Sequence, residues 1–73
     1  MRTMTHFSKS DIERVDNTIY TEVNGKTVQY DVLDGDIEAA MQQFAVALSI
    51  CETNEQIKKH MKINGFPGSL DIY

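Results

Sequence analysis

The side chains best placed to do chemistry are three lysines and a histidine within five positions, Lys58-Lys59-His60-Met61-Lys62. On a helix such a run sets cations along a turn or two, where they could grip phosphates or an acidic protein surface. Its counterpart lies upstream. Between Asp16 and Glu55 stand eight acidic residues (Asp16, Glu22, Asp31, Asp34, Asp36, Glu38, Glu52 and Glu55) against one base, Lys26. A field polarised in this way steers encounters and orients a partner. Other reactive groups are sparse. Cys51 falls at core-facing spacing and reads as an inert buried thiol. His6 has no evident role, and His60 reads as a solvated helix residue. Asp34, Asp36 and Glu38 could suggest a cation loop, but they lack the EF-hand ligand spacing and its closing glutamate, and helix capping explains them. No Gly-rich phosphate loop, Ser/His/Asp set or paired His ligands are present. We therefore expect no enzyme, no cofactor and no metal site.

The lysines carry two readings. One is a solvated helix face whose cations complement the C-terminal dipole, worth roughly 0.3–1 kcal/mol each. The other is a binding patch. A specific variant of the patch is a helix-turn-helix with Gln56, Lys59 and His60 facing a groove. Against it, the turn Glu52-Thr53-Asn54 has no glycine and adds an acid near the phosphates.

At 73 residues the chain holds one small domain, residues 1–73, with a thin core. With 41% hydrophobic and 25% charged residues the composition is that of a globular protein and not of a disordered one. A net charge of -4 disfavours direct nucleic-acid binding, which usually needs a basic surface. A single cysteine can make neither an internal disulfide nor, alone, a structural zinc site. The longest apolar-leaning stretch, Ile37 to Cys51, is too short and too polar for a membrane span. The N-terminus shows no signal-peptide core. The expectation is a cytosolic monomer without a membrane partner.

The elements that must position these groups follow from local signals. Ser8 with Asp11, and the staple pair Phe7 and Ile12, predict a short N-terminal helix of about two turns ending at Asn17-Thr18, with Ile12 and Val15 inward. Thr18 to Val23 and Lys26 to Leu33 alternate around Asn24-Gly25, which predicts a two-residue type I′ hairpin. The register then sets Val23 opposite Lys26, Thr21 opposite Val28 and Ile19 opposite Tyr30. Ile19, Val23, Val28, Tyr30 and Val32 form the core side; Tyr20, Glu22, Thr27, Gln29 and Asp31 form a wet side. Ile37, Met41, Phe44, Leu48 and Cys51 recur as one stripe of an amphipathic helix. Thr53 with Gln56 opens another helix with Ile57 and Met61 inward, and Asn64-Gly65-Phe66-Pro67 stops it in a Schellman arrangement. The fold class is α+β: a short N-terminal helix, a β-hairpin, then two C-terminal helices packed on the hairpin. Residues 68–73 could equally be a third strand or a mobile segment that orders on a partner, and with residues 1–6 they are counted as the flexible ends.

The length, the opening Met1-Arg2-Thr3-Met4-Thr5-His6-Phe7 and the acidic character resemble the transcription antitermination regulators of lytic Xanthomonas phages, which bind bacterial RNA polymerase. The resemblance covers the whole chain and rests on no diagnostic motif. It implies a non-enzymatic regulator in the bacterial host cytosol that docks on the β and β′ subunits near the RNA exit channel. Such a protein hinders initiation by disfavouring σ factor and lets elongating polymerase read through terminators. No functional residue carries over by motif. Contact residues are therefore chosen by surface chemistry: Phe7, Lys9, Tyr20, Leu70, Ile72 and Tyr73 as anchors without an evident core slot, and Lys58, Lys59 and Lys62 as the basic patch. Two alternatives stand beside it. One is a helix-turn-helix DNA-binding repressor using the basic helix. The other is an acidic inhibitor of another host protein, displaying Glu22, Asp31, Asp34 and Glu38 in a DNA-like way.

Overall fold

Asn24 and Gly25 both adopt positive φ, 53° and 81°, as a two-residue hairpin turn requires. The strands on either side pair in the expected register, with Val23 opposite Lys26, Thr21 opposite Val28 and Ile19 opposite Tyr30. This is a computed structural model, and it describes residues 7–73; the expectation for residues 1–6 lies outside the described residues. In chain order it comprises a 3-10 turn at Lys9–Asp11, strand β1 at Glu13–Val15, β2 at Thr18–Val23 and β3 at Lys26–Val32. Helix α1 at Ile37–Ile50, helix α2 at Asn54–Ile63 and strand β4 at Gly68–Ile72 follow. The sheet is antiparallel in the order β1-β2-β3-β4. The α+β class is as expected, but the sheet has four strands and not two.

One expectation needs correction, and one open alternative is decided. The N-terminal helix is a single 3-10 turn, and β1 replaces the rest. The Ser8–Asp11 contact does form, since the Asp11 carboxylate accepts from the Ser8 N–H at 2.9 Å. Propagation fails because Asp16 turns left-handed (φ 55°) and, with Asn17, folds Glu13–Val15 back onto β2. A short helix with one buried apolar residue gains less than an added ladder does. Ile12 is buried, whereas Val15 is 56% exposed and not inward. The open alternative concerns the tail, expected as a third strand or a mobile segment. Residues 68–72 are a strand paired to β3, with Tyr30 opposite Leu70 and Val28 opposite Ile72. Tyr73 continues the ladder, exchanging backbone hydrogen bonds with Thr27 at 2.9 and 3.2 Å.

The helical caps match their sequence signals. Asp36 Oδ1 accepts from Glu38 N–H at 3.2 Å and opens α1. Thr53 Oγ1 accepts from Gln56 N–H at 3.2 Å and opens α2, while Gln56 Oε1 accepts from Thr53 N–H at 3.3 Å. At the other end of α2, Phe66 N–H donates to Met61 O (2.9 Å) and Gly65 N–H to Lys62 O (3.1 Å), the paired bonds of a Schellman motif with Gly65 left-handed.

Both helices contribute to one core with the inner side of the sheet. Ile19, Val28, Tyr30 and Val32 pack with Ala40, Met41, Phe44, Ala45 and Ala47 of α1 and with Ile57 and Met61 of α2. Val23 is only partly buried. The Tyr30 and Phe44 rings lie 5.9 Å apart, centroid to centroid, and Tyr30 Oη donates to Phe66 O at 2.6 Å. One phenol thus ties the sheet to the cap of α2.

Candidate interaction surface

Alternation along the strands, combined with the register, assigns every side chain to one of two faces. The inner face is the core. The outer face carries Glu13 and Val15 of β1, Thr18, Tyr20 and Glu22 of β2, Thr27, Gln29 and Asp31 of β3, Ser69 and Asp71 of β4, and Tyr73 beyond it. None of these side chains is buried, so no element covers this face. It holds four carboxylates, two tyrosines and no lysine or arginine among the described residues. Across the middle of the sheet, Glu13, Tyr20, Gln29 and Asp71 stand in one row. In the next row Thr18 Oγ1 donates to Asp31 Oδ1 at 2.7 Å.

β1 stops opposite Tyr20, short of the end of β2. The gap is a depression of about 580 Å³ lined by Phe7, Asp11, Glu13, Tyr20, Thr21, Glu22 and Thr27. Three carboxylates and two aromatic rings there suit the ammonium or guanidinium group of a partner. Thr21, buried on the inner side, holds the rim by donating to Asp11 O at 2.9 Å.

The residues chosen by surface chemistry do not form one surface. Tyr20 and Tyr73 share the outer face, and Tyr73 is 70% exposed. Leu70 and Ile72 project from the inner face. Leu70 packs against the core and Ile72 remains 38% exposed at the sheet end. Leu70 therefore has a core slot and is no free anchor. Phe7 packs on the core as well, its N–H donating to Ser49 Oγ at 2.9 Å. Lys9 pairs with Glu38 at 2.6 Å, and Arg14 approaches the same carboxylate at 3.3 Å. The Lys9 contact, with a smaller part from Arg14, holds the Glu38 carboxyl below its ordinary pKa. Lys58, Lys59 and Lys62 form a separate exposed ridge on α2.

Other candidate groups have structural duties. Asp34 Oδ1 accepts from Gly35 N–H at 2.9 Å, Asp36 caps α1 and Glu38 is ion-paired, so the three do not converge as a cation loop. Burial raises the Cys51 thiol above its ordinary pKa and keeps it protonated at neutral pH, a poor nucleophile. His60 Nε2 lies 3.0 Å from Gln43 Oε1 on α1, and Gln56 Oε1 accepts from the N–H groups of Glu52 and Thr53. Two of the three side chains that a DNA-reading α2 would need are thus engaged within the molecule.

Sequence reasoning missed Glu13 and Asp71 as members of the acidic face. The signals were present: Asp16-Asn17 as a turn between Val15 and Thr18, and the alternation of Ser69, Leu70, Asp71, Ile72 and Tyr73.

The molecule is a two-layer α+β module, with helices on one side of an antiparallel sheet and an uncovered acidic, tyrosine-bearing face on the other. No protein-family model, curated protein or solved structure matches the chain. No helix among the described residues is long and apolar enough to cross a membrane.

Proposed function

We propose that this chain is a protein-docking regulator of bacterial RNA polymerase. It engages the β and β′ subunits, hinders initiation by disfavouring σ factor and promotes antitermination. The partner is taken from the resemblance of the chain to phage antitermination regulators. The observation that supports a docking role is the outer sheet face, where Glu13, Glu22, Asp31 and Asp71 surround Tyr20 with no cation among them. A solvated outer face is ordinary for an antiparallel sheet; what distinguishes this one is that its charged side chains are all acidic. An acidic face with aromatic groups at its centre complements the basic surfaces that a nucleic-acid-handling enzyme presents.

The test uses purified core polymerase and the full chain. Glu13→Gln, Glu22→Gln and Asp71→Asn together should weaken binding at least ~tenfold, about 1.4 kcal/mol. Read-through of an intrinsic terminator in a purified transcription reaction should fall in parallel. Absence of any complex with core polymerase would remove the named partner. A complex of unchanged affinity in the triple variant would remove the face. Recovery from lysate that disappears on nuclease treatment would instead favour the DNA-binding reading.

A further inference from the structure

We propose that the basic ridge of α2, with the corner formed by Leu33 and Pro67, is a second docking site, and that it takes an acidic peptide segment of a partner protein bearing an apolar anchor. This inference does not rest on the function proposed above. It concerns the side of the molecule that the acidic face does not use.

Lys58, Lys59 and Lys62 line a depression of about 440 Å³ together with Glu55, Leu33 and Pro67. Among the described residues Lys9 and Arg14 both reach Glu38, whereas none of the three α2 lysines forms an ion pair, even with Glu55 in the same lining. Three unpaired ammonium groups around one hollow attract carboxylates.

The hollow also offers apolar surface. Leu33, directly after a core strand, is 77% exposed. It is held in place: its N–H donates to Pro67 O at 2.8 Å, and Phe66 beside Pro67 is fixed by the Schellman bonds and by Tyr30 Oη. A corner so constrained loses little freedom when a ligand binds. Leucine and proline beside lysines suit an apolar side chain flanked by acids.

Nucleic acid fits less well. The aromatic residue in the lining, Tyr30, is fully buried, so no base can stack on it.

The test titrates the full chain against a fluorescein-labelled peptide with a Leu-Phe pair flanked by glutamates, read by anisotropy. Parallel probes are the same peptide with Ser-Ser at the centre and a labelled single-stranded DNA of equal charge. We expect saturable binding of the Leu-Phe peptide. That binding should weaken at least ~tenfold in Lys58→Gln/Lys59→Gln/Lys62→Gln and also in Leu33→Ser. Backbone amide shifts should cluster at Leu33, Lys58–Lys62 and Gly68 and spare Tyr20 and Gln29. If the triple variant loses its folded amide spectrum, the Leu33→Ser variant and the shift map decide. The proposal is overturned by no saturable binding, by equal binding of the Ser-Ser peptide, by DNA binding as tight as the peptide, or by shifts on the sheet face. Concentration-dependent self-association blocked by Leu33→Ser would assign the corner to a second copy and overturn it as well.

Discussion

Tyr20 and Tyr30 are the same residue on adjacent strands, one register step apart, and they do opposite work. Tyr30 faces inward and is fully buried; its ring packs near Phe44 and its hydroxyl donates to the Phe66 carbonyl. Tyr20 faces outward between Glu13 and Gln29, with no element above it. Residue type did not decide this. Strand parity did, because a sheet sends successive side chains to opposite sides and helices cover only one of them. The covered face is where stability is made, and the bare face is where surface chemistry is free to serve a partner.

That division is most sharply tested by truncating both rings. Tyr30→Ala should cost about 3–5 kcal/mol, the usual range for a buried aromatic. In a domain this small that approaches the whole stability, and urea unfolding should show a largely unfolded population. Tyr20→Ala should stay within about 1 kcal/mol. Equal losses would mean that the outer face is also structural. A smaller effect follows at the join between β3 and β4. A Cβ on Gly68 would collide with the Asp31 carbonyl oxygen and crowd the Tyr30 ring. Gly68→Ala should therefore cost about 1–3 kcal/mol, and amide exchange should accelerate first at Ser69 and Asp71, whose N–H groups face β3.

The same contrast shows what the sequence could and could not reveal. The Asn24-Gly25 hairpin and its register, both helices and their caps were legible because each is specified within a few residues. β1 was not, because Ser8 and Asp11 signal a helix start that the turn at Asp16 overrides. Only pairing with β2, a tertiary event, makes the strand the better outcome. The tail alternates as a strand should, yet its partner β3 lies across two helices, so local pattern could not choose between strand and mobile segment. The surface suffered most. Of the acids crowded between Asp16 and Glu55, only Glu22 and Asp31 reach the outer face. Glu13 joins them through the tight β1–β2 turn, and Asp71 through pairing of β4 with β3, which lie far apart in the chain. Charge segregation along the sequence and on the surface are different facts here. The basic ridge is the exception, since one helix turn carries it whole. Deleting Leu70 to Tyr73 would not isolate a binding role for the tail, because it removes most of β4 and the core contact of Leu70 together with Tyr73.

If the outer face serves a partner and not the fold, removing its charges should leave stability within about 0.5 kcal/mol, with either sign, while binding suffers. Thermal unfolding of Glu13→Gln/Glu22→Gln/Asp71→Asn checks this. A loss several times larger would show that these carboxylates have structural partners after all.

The smallest expected effect lies on the helix side, at Glu38. Its folded pKa is lowered, first by the hydrogen bond from Lys9, then by the charge of Lys9, with a lesser part from Arg14. A lowered carboxyl pKa means that the native state binds this proton less readily than the unfolded chain does. The contribution is therefore present above the ordinary value of 4.5 and is lost as pH falls through the folded value. Because the carboxylate is exposed, solvent and salt weaken the pair. The comparison to make is urea unfolding of the wild type and Glu38→Gln at neutral pH and again below pH 4.5. The two proteins should differ slightly at neutral pH and converge in acid, and added salt should shrink the neutral-pH difference. A gap that persists in acid would mean that Glu38 stabilises by packing, and that Lys9 is held near α1 by something other than its charge.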